Sequence, residues 1–207
     1  MQKTGENGTM TMNEKTLDDI YTLAQQEFSK EGHEVHVVEL LGPYLKKRQE
    51  HGVAWLLYGE ALGVIGRYKE AMTALLKALE LAPSKEKSYI YGKLGFLCHE
   101  YKSPVEAEKW YELAVKNETE PVDWLYIFRG TNLSMLGLFD ESLVWLNKAA
   151  NMESEVKDEI FVNIGFVYRA MGKYNEAIAA FNQALEFDHD NQEAKVAIEG
   201  LLNIGKY

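Results

Sequence analysis

The sequence predicts an all-α protein, a right-handed α-solenoid of antiparallel helix pairs, and three sets of residues carry that expectation. Glycine recurs at Gly59, Gly95, Gly130 and Gly165, with gaps of 36, 35 and 35 residues. Small residues follow in the same frame: Ala71, Ala107, Ser142 and Ala177 twelve positions on, then Ala78, Ala114, Ala149 and Ala184 seven further. Large residues keep the frame as well. Trp55, Tyr91, Tyr126 and Phe161 stand four before each glycine, Leu62, Cys98, Leu133 and Tyr168 three after it, and Leu75, Tyr111, Leu146 and Phe181 sixteen after it. A fixed period of this length marks a repeat array, whose units stack because one helix pair cannot bury both its faces.

Each unit reads as two apolar stretches of helical period separated by a short break such as Gly66-Arg67-Tyr68 or Gly172-Lys173-Tyr174. Glycine at the break permits the positive φ that ends a helix. Two antiparallel helices approach closely only where side chains are small, so Gly and Ala mark the crossing and the aromatics fill the space around it. The units are placed at 52–85, 88–121, 123–156 and 158–191.

The set Trp55, Gly59, Ala71, Ala78 and Pro83, and the set Phe161, Gly165, Tyr168, Tyr174, Ala177, Phe181 and Ala184, resemble the tetratricopeptide repeat. The resemblance covers 52–191 and implies a helical solenoid that binds protein. Pro104, Ser142 and Arg129 depart from the pattern, standing where an aromatic, an alanine and an apolar residue are usual.

The ends extend the frame. With Gln25 in the glycine column, 13–51 becomes a divergent helix pair. Gln25 and Tyr44 are large there, which predicts that the pair splays, and Gly42-Pro43 predicts a break in its second helix. Residues 1–12 are read as a disordered N-terminus. Residues 192–207 are read as a capping helix with Ala194, Ala197, Ile198, Leu201 and Leu202 on its apolar face.

Charge narrows the partners. The net charge is −10, and the only basic run is Lys46-Lys47-Arg48, so nucleic acid and anionic membrane are poor partners. A basic partner is easier to approach, although an acidic surface also simply keeps a scaffold soluble. The single cysteine, Cys98, permits no intrachain disulfide. No signal-like apolar stretch opens the chain and no window reaches membrane length, so a soluble cytoplasmic protein is expected.

Function is expected on the inner face of the array, made by the first helix of each pair. If the glycine column packs inside the pair, the columns at −6, −3, +1, +4 and +5 form one free stripe. The residues expected to line a concave peptide-binding groove are Leu56, Glu60, Tyr89, Phe96, His99, Trp124, Ile127, Thr131, Phe166 and Arg169. So many apolar residues on a solvent face imply a cover. A partner segment, a second copy, the chain's own N-terminus and ordinary packing between repeats all remain open.

Chaperone-binding members of the family grip a C-terminal carboxylate through Lys and Asn at the −3 and +1 columns. Neither residue occurs there in this chain, so the resemblance does not extend to a carboxylate clamp. No metal, cofactor or catalytic residue is expected. His33, His36 and Glu39 lack the HExxH spacing, the His99-Glu100 neighbours are a weak acid–base signal, and no phosphate loop or nucleophile elbow is present. The expected roles are therefore a non-catalytic adaptor, assembly factor or chaperone, with a self-assembling scaffold or a sequestering inhibitor as alternatives.

Overall fold

A computed structural model describes residues 16–203. The expected disordered segment 1–12 and the last residues of the expected cap, 204–207, lie outside them. Eleven α-helices are found among the described residues: α1 (Leu17–Phe28), α2 (Glu34–Lys47), α3 (Gly52–Val64), α4 (Tyr68–Leu81), α5 (Lys87–Glu100), α6 (Pro104–Lys116), α7 (Asp123–Met135), α8 (Phe139–Ala150), α9 (Lys157–Ala170), α10 (Tyr174–Phe187) and α11 (Gln192–Leu202). They follow one another in sequential antiparallel pairs, the solenoid that the repeat columns predict. The chain divides into two compact units, Met1–Pro83 and Ser84–Tyr207.

The columns have a direct steric cause. A Cβ added at Gly59 would lie 2.9 Å from Leu75, at Gly95 2.7 Å from Tyr111, at Gly130 2.7 Å from Leu146 and at Gly165 2.5 Å from Phe181. The glycine column and the column sixteen residues later are thus the two sides of one contact, where each first helix crosses its partner. The +12 and +19 columns seal the same crossing, with Ala71, Ala107, Ala149 and Ala177 fully buried.

The turns repeat as strictly. Gly66, Gly137 and Gly172 adopt φ of 78°, 76° and 74°. The amides one residue on, at Arg67, Leu138 and Lys173, reach back to the carbonyls of Leu62, Leu133 and Tyr168 at 2.9 Å each. This closure satisfies carbonyls that a helix end otherwise leaves without donors.

The departures from the repeat pattern each have a local reason. Pro104 is the first residue of α6, where its missing N–H would be unpaired in any case. Ser142, buried in the alanine column, donates to the Gly130 carbonyl across the α7–α8 crossing at 2.7 Å. Arg129 turns toward α6 and pairs with Glu108 at 2.7 Å, its guanidinium lying 4.4 Å from the Trp145 ring centre.

The first unit corrects two expectations. Pro43 lies inside a continuous α2 instead of breaking it. Pro43 is exposed, and so is Glu39 four residues earlier, so the carbonyl that loses its donor is open to water. The glycine column is also one residue off: Gln25 is exposed, while Ala24 is fully buried with Ile20 and Glu27 on the same face of α1. Ala24 supplies the small residue, so Gln25 gives no reason for splaying. Tyr44, 3% exposed, is buried, and its hydroxyl meets His51 Nδ1 at 2.6 Å.

Candidate functional site

Within the second unit, α5, α7 and α9 are the first helices of successive pairs, and each touches the next. Their shared free face carries eight of the expected site residues. Leu56 and Glu60 stand on α3 in the first unit, both half-buried, and are described apart from the others.

Aromatic contacts between α5 and α7 organise the face. Trp124 meets Tyr89 edge-on with ring centres 5.7 Å apart, and Phe96 tilts against Phe128 at 4.8 Å. Trp124 and Phe128, one turn apart on α7, lie 6.3 Å from each other. The Trp124 ring also covers Gly92, where a Cβ would come within 2.4 Å of it. Gly92 therefore sits under the face, not on it, which corrects the expectation that the whole −3 column is free. Val162 makes the same correction on α9: it is 4% exposed, packed with Ala194, Ala197 and Leu201 of α11. The stripe assumed that the first helices stand apart, whereas they touch along this column.

What stays open lies along the other columns. Tyr89 is 41% exposed, Phe96 36% and Met135 50%. Ile127 is half-buried, and Thr131 is turned back onto its own helix, its hydroxyl donating to the Phe128 carbonyl at 3.0 Å. Phe166 is partly committed to the core, edge-on to Phe181 at 5.2 Å. Arg169 covers it with its guanidinium 4.6 Å from the ring centre. Phe166 and Arg169 border a cleft of about 540 Å³ whose far wall is α11, with Glu193, Val196 and Gly200.

His99 shares a contact with Asn132 at 3.3 Å. Asn132, fully buried, donates to the Pro104 carbonyl at 3.0 Å and to Glu108 at 3.3 Å. Burial pushes the Glu108 carboxyl upward while Arg129 and Asn132 pull it down. His99 is thus one end of a structural network. Burial pushes the Cys98 thiol up to about 11, so little thiolate exists at neutral pH. His33 is spent on Glu27 at 2.5 Å, and His36 lies 3.7 Å from Glu39.

Three participants were not in the expected set. Phe128 falls one column outside the stripe, yet its i, i+4 spacing from Trp124 on an aromatic-rich helix signals a shared face. Lys93 holds its ammonium 4.9 Å from the Tyr89 ring centre and 5.8 Å from that of Trp124. Met135 lies in the stripe and was passed over for larger neighbours.

Comparisons with known proteins place this architecture. Tetratricopeptide-repeat models match residues 53–85 and 159–191. No curated protein matches the chain by sequence. Among solved structures, PilW, a widely conserved type IV pilus biogenesis factor, aligns with a TM-score of 0.79 and 17% identity, covering 92% of this chain and 87% of that one. YrrB, a TPR protein with an unusual peptide-binding site, aligns with a TM-score of 0.70 and 19% identity over 89% and 92% of the two chains. The MamA fragment from Desulfovibrio magneticus RS-1 gives 0.71 and 17% over 86% and 99%. Identities this low establish fold and nothing finer. Two tetratricopeptide repeats are thus matched in sequence, and across most of its length the chain has the helix-pair solenoid of a tetratricopeptide-repeat protein.

Proposed function

We propose that the chain is a non-catalytic interaction module, an adaptor, assembly factor or chaperone of the cytoplasm, that holds an apolar or amphipathic polypeptide segment on the free face of α5, α7 and α9. One observation carries the reading. Tyr89, Phe96 and Met135 remain substantially exposed on neighbouring helices, beside an aromatic ladder that already fixes their positions. Rigid aromatic anchors on an ordered surface lose little entropy when a segment is laid over them, which suits the helix-in-groove mode of recognition. Tetratricopeptide-repeat proteins in general mediate protein–protein interactions, which agrees with this use of the face.

The test is paired co-purification with the wild type and a Phe96→Glu/Met135→Glu variant, each checked by circular dichroism and thermal melting. Both side chains are exposed enough for the variant to keep its fold. A partner retained by the wild type and lost by a normally melting variant supports the reading. Equal recovery by both removes this face from the function.

Self-assembly has its own support. Val196 and Leu202 on α11 are 67% and 57% exposed. Leu202 borders a second cleft, of about 510 Å³, with Leu185 and Ile198. A solution mass above 23.6 kDa that falls to the monomer value in Leu202→Glu would favour this second reading.

A further inference from the structure

The charges around the aromatic face name the chemistry of what lies on it. On the side of Trp124 next to the loop between α8 and α9, a cleft of about 590 Å³ is lined by Asp123, Trp124, Glu153, Ser154, Glu155 and Val156. It is a direct extension of the aromatic face, since the same indole meets Tyr89 and Phe128. Glu153 and Glu155 are exposed and take part in no ion pair among the described residues. Glu159 on α9 and Glu193 on α11 are further exposed carboxylates of this unit without an ion pair among the described residues, Glu193 bordering the cleft that Arg169 also lines.

Among the cations of this unit, Arg129 serves Glu108, Lys148 lies 3.8 Å from the Trp145 ring centre, Lys157 lies 5.7 Å from that of Phe187, and Lys195 pairs with Asp190 at 3.3 Å. Lys93 and Arg169 lie on the face itself, over the Tyr89 and Phe166 rings, and neither lines the cleft beside Glu153 and Glu155. The cleft beside Trp124 is therefore lined by carboxylates, Glu153 and Glu155, that no lysine or arginine among the described residues pairs with. A chain of net charge −10 gains nothing in fold from that arrangement, because like charges on one border repel.

We propose that the segment held on this face is cationic and amphipathic, its apolar side chains resting on Phe96, Phe128 and Trp124, and a lysine or arginine entering the cleft between Trp124 and the Glu153–Glu155 loop. Resting on the reading of the face above, this assigns the partner's charge. The geometry suits a long basic side chain: its aliphatic stem lies along the indole and its charged head meets carboxylates at the solvent edge. An acidic segment would meet repulsion from Glu153 and Glu155 at this cleft. Charge matching of this kind acts mainly on selectivity and on the rate of encounter, and it is screened by salt.

The experiment uses the full chain and two labelled peptides with identical Leu and Phe positions at helical spacing, one carrying Lys at its remaining sites and the other Glu. Binding is followed by fluorescence anisotropy for wild type, Glu153→Lys/Glu155→Lys and Phe96→Ala. The lysine peptide is expected to bind at least about tenfold more tightly than the glutamate peptide, with most of that margin lost at about 0.5 M salt. The charge-reversed protein should lose or invert the preference, and Phe96→Ala should weaken both peptides while preserving it. Equal binding of the two peptides, lost in Phe96→Ala, would overturn the charge proposal and leave the aromatic face in place. Lysine-peptide binding that ignores both variants overturns it too, by locating the attraction elsewhere. Binding of neither peptide overturns the proposal and the reading of the face together.

Discussion

Lys102 stands in the turn column that glycine fills in the other three repeats, and it takes φ of 60° to do so. Its neighbours complete the same closure, with the Ser103 amide reaching the Cys98 carbonyl at 2.9 Å and Lys102 reaching His99 at 3.0 Å. The fold therefore holds a β-carbon in a conformation that L-residues resist by about 1–2 kcal/mol, part of which glycine gives back through its larger unfolded-state entropy. Lys102→Gly is expected to raise stability by about 0.5–1 kcal/mol, read as a higher urea midpoint with unchanged slope. Glu27 makes a second prediction. It accepts from Lys30 at 2.8 Å and meets His33 at 2.5 Å, and these partners hold its carboxyl down to about 2 against an ordinary 4.5. A carboxyl depressed in the folded state contributes stability that is fully present above its unfolded value and disappears as pH falls through its folded value. The loss therefore falls between pH 4.5 and about 2. Thermal melts across that window should show a smaller decline in Glu27→Gln than in the wild type, since the variant has no proton to take up there.

The seam between α6 and α7 shows how one element can depart from the repeat and remain packed. Arg129, Glu108 and Asn132 form a connected polar group where the repeat pattern has an apolar residue, and the Arg129 and Glu108 side chains are only 13% and 16% exposed. Losing one partner leaves the other charged and half-desolvated. Arg129→Leu should therefore cost about 2 kcal/mol, and Arg129→Leu with Glu108→Met should recover most of it. A double variant as unstable as the single one would show that Arg129 acts through its stacking on Trp145 instead of its ion pair. From sequence alone Arg129 was legible only as an irregularity, because its partner comes from the preceding helix and stands in no repeated column. Pro43 was misread for a related reason. A proline rule describes the helix locally, whereas α2 continues because the carbonyl left unpaired faces water. The crossings were legible in full: a glycine and a large residue sixteen positions apart are a local contact, and a repeat prints local contacts several times over.

The whole array follows from that locality, since units that touch only their neighbours write their fold into the period of the sequence. The free face was less legible, because it is defined by what does not touch it. Whether Gly92 or Val162 is open depends on the helix beside it, and the columns of one repeat carry no record of the next. Helix α11 sends Ala194, Ala197 and Leu201 into a cluster with Val162, Ala177, Phe181 and Ala184, and it turns Lys195 and Glu199 to solvent. Asn191 anchors its start, accepting from the Ala194 amide at 2.9 Å and donating to Asp158 at 3.0 Å, so α11 is tied to the beginning of α9 as well as to its apolar side. A chain stopped at Asp190 would uncover Phe166, Ile178 and Leu185 along with that cluster, exposing an apolar surface in the unit that carries the candidate site. Burial on this pattern is worth on the order of 3 kcal/mol after the ordering of the helix is set against it. The truncated chain should unfold at lower urea and bind an apolar dye in its folded state. If its midpoint matches that of the full chain, the α9–α10 pair is self-sufficient, and α11 serves the cleft it shares with Phe166 and Arg169 instead of the stability of the stack.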